Sequence, residues 1–141
     1  MGKNDLPDDW ENYSPCGRQI PRTPFVAFKV PLNPNIHGKY SAKYSRDPDY
    51  QPWGLKDLDS RLPNLSVIID LTATNRYHNP RSLSRHIKHV KIKTQGHVVP
   101  SLQVIEEFKD HVEQALIENP EALIGVHCTH GINRTGYLIC R

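Results

Sequence analysis

The sequence predicts a domain of the α/β class. Two dense runs of β-branched and aliphatic residues, at 65–71 and 122–127, are typical of strands that are buried on both faces of a sheet. Between them, an apolar stripe at helical spacing predicts a long amphipathic helix that begins after Pro100. Strands that alternate with helices indicate a layered α/β domain. The length of 141 residues suits one such domain with its own core.

The first part of the chain offers fewer regular elements. FVAFKV (25–30) predicts a first strand, which Pro31 ends. Prolines and glycines without a clear period predict a long loop at 33–54, and LKDLDSRL (55–62) then predicts a short helix. Residues 1–24 are polar and punctuated by prolines, so we expect them to form a loop-rich N-terminal arm.

The second part of the chain alternates strands with helices. KHVKIKT (88–94) alternates apolar and basic residues, which predicts a strand with one solvated face. Ser101 is the expected N-cap of the long helix, and Asn119–Pro120 is expected to end it. The apolar stripe of this helix consists of Leu102, Ile105, Phe108, Val112, Ala115 and Leu116.

The composition favours a soluble, intracellular protein. Three widely spaced cysteines, Cys16, Cys128 and Cys140, form neither a disulfide framework nor a zinc-ligand pattern. The longest apolar runs are too short to span a bilayer, and the N-terminus lacks a signal-peptide core, so we expect no membrane association. The net charge is +3, but residues 85–93 carry four basic side chains and no acid, which is compatible with a polyanionic partner.

The stretch VHCTHGINRTGYLICR (126–141) carries the strongest chemical signal. Cys128 follows a buried strand, and Arg134 stands six positions later, near the expected start of a helix. A loop between a strand and a helix can turn its N–H groups around an anion, and the helix adds its positive end. The planar fork of Arg134 can hold two phosphate oxygens at once. Such a cup would lower the pKa of Cys128 and make it a thiolate nucleophile at neutral pH.

The residues around Cys128 fit this scheme. Thr135 is expected to donate a hydrogen bond to the thiolate, His127 to orient the loop, and Gly136 to allow tight packing of the helix. A buried structural thiol would not explain the spacing of all the residues in this motif. A zinc site would lack a second pair of ligands. The predicted phosphate-binding set is Thr129, His130, Gly131, Ile132, Asn133 and Arg134.

This stretch resembles the His-Cys-x5-Arg-Ser/Thr signature of the cysteine-dependent phosphatases. LPDDWENYSPCGRQIPRTPFVAFKVPL (6–32), VIIDLTATNRYHNP (67–80) and TQGHVVPS (94–101) narrow the resemblance to one subgroup. That subgroup contains the RNA triphosphatase domain of metazoan mRNA capping enzymes, the baculovirus RNA phosphatase and the RNA/RNP-complex-interacting phosphatase. The resemblance is strongest to the last of these and covers nearly the whole chain.

The resemblance implies a fold and a function. The fold is the cysteine-phosphatase fold, a central mixed sheet flanked by helices, with an N-terminal arm at 1–24 and the phosphatase domain at 25–141. Members of the family carry several more helices, so the resemblance implies that the C-terminal helices are missing from this chain. The implied function is a metal-independent, cofactor-free RNA 5′-tri/diphosphatase. Its implied partners are RNA 5′ ends and ribonucleoprotein complexes, and its implied location is the nucleus.

Candidate functional residues also occur outside the closing stretch. The resemblance implies a catalytic role for Asp70, and the alternative is that Asp70 caps the following turn through Thr72 or Thr74. Arg76 is a candidate for binding a second phosphate of the substrate, with an ordinary surface arginine as the alternative. Weaker candidates for contacts with substrate phosphates are Lys29, Lys91 and Lys93, of which the last two are expected on a solvated strand face.

The loop before the long helix, KIKTQGHVVPSLQ (91–103), contains no Asp or Glu. Protein phosphatases of this superfamily supply an aspartic acid from this region to protonate the leaving oxygen. Asp110 lies inside the predicted helix, and His97 is the remaining loop candidate for an acid. A 5′-triphosphate needs less help, because the charge of the departing diphosphate end is already well stabilised. The missing acid therefore favours a phosphoanhydride substrate.

Three functions remain open from the sequence: an RNA 5′-phosphatase, a protein tyrosine or dual-specificity phosphatase, and a phosphate-binding module without turnover. The missing acid favours the first, and the superfamily signature favours the second. The third arises because the helix that starts near Arg134 has barely two turns before residue 141. We therefore expect this chain to be a fragment of reduced stability, with apolar surface exposed around the sheet.

Overall fold

The computed structural model describes residues 10, 13–33, 36–38, 53–73, 83, 86–96 and 98–140. Strands and helices alternate along the described chain, apart from one pair of successive strands, in keeping with the α/β prediction. In chain order they are β1 (Phe25–Lys29), α1 (Leu55–Arg61), β2 (Leu65–Asp70), β3 (Lys88–Lys91), α2 (Leu102–Glu118), β4 (Leu123–Cys128) and α3 (Asn133–Cys140). The predicted loop at 33–54 falls largely outside the described residues.

The four strands form one sheet in the order β1-β4-β2-β3, and all three pairings are parallel. The α/β class is confirmed, but the expectation of a mixed sheet is wrong for these four strands. All four strands therefore run in one direction. Among the described residues, the antiparallel component is a single bridge between Cys16 and Phe28.

The sheet has a buried cluster on each face. Side chains alternate along β2 and β4, so neighbouring residues contribute to opposite clusters. One face carries Ile68 together with Phe28 of β1 and Trp53. The other face carries Ile69 and Cys128 against the apolar stripes of α2 and α3. The continuous apolar runs of β2 and β4 thus reflect burial on both faces.

Helix α2 begins where the sequence predicts. The side chain of Ser101 accepts a hydrogen bond from the backbone N–H of Val104 at 3.3 Å, which satisfies one of the free donors of the first turn. Ile105 and Phe108 are buried against the sheet, as expected. The prediction is wrong for Leu102, the first residue of α2, which is 69% exposed.

The predicted N-terminal arm contributes to the same core as the sheet. Trp10 has no exposed surface, and Cys16 is 5% exposed. Both belong to the cluster that contains Phe28 and Trp53. The division of the chain at residue 24 stays a prediction, but the described part of the arm packs against the domain. Within the described ranges, no helix is long and apolar enough to cross a membrane.

Candidate active site

The candidate site lies at the C-terminal edge of the sheet, where β4 ends at Cys128 and the chain turns into α3. Residues 129–132 form the loop between the two elements, hereafter the phosphate loop. Gly131 adopts φ +80°, which side chains other than glycine rarely tolerate. A Cβ atom there would lie 2.5 Å from the backbone oxygen of Phe28. The loop therefore needs glycine both for its conformation and for its close approach to β1.

Cys128 is buried, and its surroundings favour the thiolate. Burial alone would raise the pKa of the thiol. Hydrogen bonds from the side chain and N–H of Thr135 and from the N–H of Gly131, together with the charge of Arg134, outweigh that effect. The pKa of Cys128 consequently lies below its ordinary value. A thiolate at neutral pH is the form that attacks phosphorus.

Thr135 is fully buried in the first turn of α3. Among the described residues, no group other than the sulfur of Cys128 is a hydrogen-bond partner of its hydroxyl. A neutral thiol is a weak acceptor, whereas a thiolate is a strong one. We therefore assign the Thr135 hydroxyl to the sulfur of Cys128, where it stabilises the thiolate. The catalytic role predicted for Thr135 stays a prediction.

Arg134 is held in place by backbone and side-chain oxygens from three loops. Nη1 donates to the carbonyl oxygen of Thr94 at 2.8 Å and, more weakly, to that of Leu71 at 3.5 Å. Nη2 donates to Oγ1 of Thr129 in the phosphate loop at 3.0 Å. The guanidinium is only partly buried, so donors remain for a substrate phosphate. Arg134 and Cys128 thus face a common cup.

Asp70 lies at the end of β2 and forms the centre of a buried polar cluster. Its Oδ1 accepts hydrogen bonds from the backbone N–H and the hydroxyl of Thr72, at 2.9 and 2.6 Å. Its Oδ2 lies 3.1 Å from Nε2 of His89 and accepts from Nζ of Lys91 at 3.2 Å. Nζ of Lys91 also donates to the hydroxyl of Thr72 at 2.6 Å. The predicted turn cap through Thr72 is confirmed, whereas Thr74 lies outside the described residues.

Asp70 is ionised and unsuited to act as a general acid. Burial would raise its pKa, but the positive charge that His127 can carry, the hydrogen bonds from His89 and Thr72, and the ammonium of Lys91 overcome this effect. The pKa of Asp70 therefore lies well below its usual range. Its register partner in the sheet is His127, the neighbour of Cys128, so its side chain points to the face opposite the sulfur. This geometry favours a positioning role for Asp70 over a catalytic one.

His127 connects the Asp70 cluster to the phosphate loop. Its ring stacks on Phe28 at a centroid distance of 5.2 Å, and Nε2 lies 3.8 Å from Oδ1 of Asp70. Nδ1 lies 3.3 Å from the carbonyl oxygen of Cys128, and the predicted orienting role of His127 stays a prediction. Burial lowers the pKa of His127 more than Asp70 raises it, so the ring is neutral at neutral pH.

Three predicted residues lie away from the cup or outside the described chain. Lys29 is 2% exposed, and its Nζ donates to the carbonyl oxygens of Trp10 and Tyr13, so this geometry does not support the predicted contact with substrate. Arg76 and His97 fall outside the described residues.

Gly136 was expected to allow tight packing, but a Cβ atom there would meet nothing within 4 Å, because the helix faces open space at this position.

Sequence reasoning missed several residues that support the site. Lys91 was expected on a solvated strand face but is bonded to Asp70, and His89 joins the same cluster. A register argument could have found both, because Asp70 and Lys91 are partners at the ends of adjacent parallel strands. The carbonyl groups of Leu71 and Thr94 that hold Arg134 leave no signal in the sequence, since every residue carries one.

Comparison with protein families agrees with this geometry. A family model described as "Polymorphic toxin system, DSP-PTPase phosphatase" matches residues 54–141, which include the candidate site. The RNA/RNP complex-1-interacting phosphatase of Rattus norvegicus is 45% identical over 99% of this chain, and that of Homo sapiens is 43% identical over the same share. These alignments cover 43% and 42% of the two relatives, so the chain spans less than half of their length.

A viral relative matches over most of its own length. The tyrosine-protein phosphatase of Autographa californica nuclear polyhedrosis virus is 35% identical over 96% of this chain and 78% of the viral protein. These matches confirm the resemblance inferred from the closing stretch and from the three upstream segments. The chain belongs to the DSP-PTPase phosphatase family.

Proposed function

We propose that the chain carries the catalytic site of a metal-independent phosphatase that removes the γ-phosphate, and also the β-phosphate, from RNA 5′ ends. Catalysis proceeds through a phosphocysteine on Cys128. The observation that carries this proposal is the cup in which the Gly131 and Thr135 N–H groups, the Thr135 hydroxyl and the Arg134 guanidinium converge on a buried sulfur. Such a cup stabilises both a thiolate and a bound phosphate.

The reaction has two steps. The Cys128 thiolate attacks the terminal phosphorus, a sulfur–phosphorus bond forms, and the bond to the bridging oxygen breaks, which leaves the RNA one phosphate shorter. Arg134 and the N–H groups of the phosphate loop stabilise the three equatorial oxygens during transfer. Water then attacks the phosphocysteine, the sulfur keeps the bonding electrons as a thiolate, and the protons of the water pass to inorganic phosphate and solvent.

The choice of a phosphoanhydride rests on the lack of a carboxylic acid in the loop before α2 and of a suitable acid among the described residues of the site. Residues 91–103 contain no Asp or Glu. Asp70 stays ionised and faces away from the sulfur, so it does not protonate a leaving group. A departing di- or monophosphate end does not require that proton, whereas a serine or tyrosine oxygen benefits from it strongly.

The surroundings of the cup offer a place for the remainder of the substrate. A cavity of about 240 Å³ lies beside the loop after β3 and the start of α2. It is lined by Lys93 and by Thr94, whose carbonyl oxygen holds Arg134. A basic side chain next to the cup suits the phosphates of an RNA chain. The RNA/RNP-interacting relatives support RNA or ribonucleoprotein partners, and a nuclear location is part of this proposal.

A protein tyrosine or dual-specificity phosphatase is the second candidate. The viral relative, which the chain matches over most of its length, is named a tyrosine-protein phosphatase, and the phosphate cup would serve such a substrate equally well. Only the leaving group differs between the two reactions. The choice between them therefore depends on which leaving group the site expels.

The test compares phosphate release from triphosphate-ended RNA and from a phosphotyrosine peptide, both in the presence of EDTA. We expect faster release from the RNA. The matched control is Cys128→Ser, which should bind the RNA but release no phosphate. Preference for the peptide would overturn the RNA assignment, and unchanged release by Cys128→Ser would exclude the phosphocysteine. RNA binding without turnover by the unmodified chain would leave only a phosphate-binding module.

A further inference from the structure

The segment before β1 covers the end of that strand, next to the phosphate loop. Trp10 is fully buried, and its indole Nε1 donates to the carbonyl oxygen of Val30 at 3.1 Å. The carbonyl oxygen of Pro15 accepts a hydrogen bond from the N–H of Lys29 at 3.0 Å. The segment is therefore attached to β1 on both sides of Tyr13.

The side chain of Lys29 holds this segment in place. Its Nζ donates to the carbonyl oxygen of Trp10 at 2.9 Å and to that of Tyr13 at 2.8 Å. The same ammonium lies 3.6 Å from the centroid of the Trp10 ring. A buried ammonium is costly unless such groups surround it. Lys29 thus determines the path of the segment at Tyr13.

Tyr13 in turn contacts the phosphate loop. Its ring lies on that of His130, with centroids 4.6 Å apart and an interplanar angle of 37°. On one side of His130, the carbonyl oxygen of Thr129 accepts from the N–H of Val30 at 3.1 Å. On the other side, Gly131 approaches the backbone of β1 too closely for a side chain. Three consecutive residues of the loop are therefore contacted from the side of β1, and Tyr13 supplies an aromatic contact to the middle one.

We propose that Tyr13 is a positioning residue for the phosphate loop, and that buried Lys29 is the anchor that keeps Tyr13 on His130. Gly131 directs its N–H to the sulfur of Cys128, and it directly follows His130. A loop that loses the contact at His130 samples orientations in which this N–H no longer points at the sulfur. The thiolate is then less stabilised, and a phosphate is held less well. This inference uses the phosphatase site of the proposed function but not the identity of its substrate.

The experiment measures the alkylation of Cys128 by iodoacetamide as a function of pH in the 141-residue chain. Mass spectrometry of the separate peptides distinguishes Cys128 from Cys16 and Cys140. We expect Tyr13→Ala and Lys29→Met to move the midpoint of Cys128 alkylation to higher pH. Phosphate release from triphosphate-ended RNA should fall roughly five- to tenfold with loss of the aromatic contact.

Two further variants control for folding and chemistry. Tyr13→Phe keeps the ring and should behave as the unmodified chain, whereas Tyr13→Leu keeps bulk without the ring and should behave as Tyr13→Ala. Gln19→Ala is the matched control, because Gln19 lies in the same arm and bonds only locally, to the carbonyl oxygen of Thr23. Circular dichroism establishes that each variant is folded before it is compared.

The outcomes separate the inference from the proposed function. An unchanged alkylation profile in folded Tyr13→Ala and Tyr13→Leu overturns the positioning role. A loss of RNA turnover with an unchanged profile also overturns it, because Tyr13 would then contact the substrate directly. A shifted profile supports the role even if the unmodified chain releases no phosphate from RNA, in which case only the proposed substrate is wrong.

Discussion

Replacing Gly131 by alanine is the sharpest test of the phosphate loop. At φ +80°, alanine carries a conformational cost of roughly 1–2 kcal/mol. Its Cβ would also lie 2.5 Å from the backbone oxygen of Phe28 and 2.8 Å from the nitrogen of Lys29, where ordinary contact begins at 3.4 Å. Both obstacles are backbone atoms of β1, which pairs with β4 along its length. The loop, rather than the strand, is therefore expected to move, by about 0.9 Å.

A displacement of this size should affect catalysis more than stability. A misplacement of about 1 Å in a reacting geometry costs on the order of a hundredfold in rate. We therefore expect Gly131→Ala to lower kcat/KM for triphosphate-ended RNA by roughly that factor, and to lower the free energy of unfolding by about 1–2 kcal/mol. The assays are phosphate release and urea unfolding followed by circular dichroism.

The matched control for this variant is Gly136→Ala. Gly136 lies inside α3, and a Cβ atom there meets nothing within 4 Å. Alanine should therefore raise the free energy of unfolding by up to about 1 kcal/mol, through helix propensity alone. Turnover should stay unchanged. If Gly131→Ala retained the rate of the unmodified chain, the close approach of the loop to β1 would not matter for catalysis, and our account of the cup would fail.

Two other substitutions test the groups that surround the cup. Asp70→Asn should lower the free energy of unfolding at pH 7 by about 3 kcal/mol, because it leaves the ammonium of Lys91 half-buried beside a neutral amide. The folded pKa of Asp70 is depressed, so its contribution to stability is complete above the unfolded pKa of about 3.9 and is lost progressively as the pH falls towards the folded pKa. The urea midpoints of the variant and the unmodified chain should therefore begin to converge as the pH falls below about 4. A constant difference would contradict the ionised carboxylate. Arg134→Lys should lower kcat/KM on triphosphate-ended RNA by roughly a hundredfold, since an ammonium does not replace the fork that binds two phosphate oxygens. Activity within a few fold of the unmodified chain would show that charge alone is enough.

The regular elements could be predicted well where burial determines the pattern. β2 and β4 are buried on both faces, so each is a continuous apolar run whose ends the sequence marks within one residue. The strand predicted at 88–94 is shorter, because the chain after Lys91 turns to place the carbonyl oxygen of Thr94 on Arg134. The direction of the strands was missed, although continuous apolar runs are typical of parallel strands that are covered on both faces.

The site was predictable where its chemistry depends on side chains that follow one another. Cys128, Arg134 and Thr135 lie within eight positions and occupy one cup. The role of Lys29 could not be anticipated, because its partners are carbonyl oxygens of residues 16 and 19 positions earlier. Backbone groups brought together by folding carry no residue-specific signal.

The carbonyl oxygens that hold Arg134 have a consequence for how this scaffold can change. Thr94 and Leu71 contribute only backbone atoms to this contact, so the exposed positions of their loops could exchange side chains without releasing the guanidinium. The guanidinium is also held in position before a ligand arrives, which reduces the entropy lost when phosphate binds. Phosphate capture and the selection of what carries the phosphate are thus assigned to different atoms of the same loops. New leaving groups could be accommodated by substitution at 93–104 while the cup itself stays unaltered.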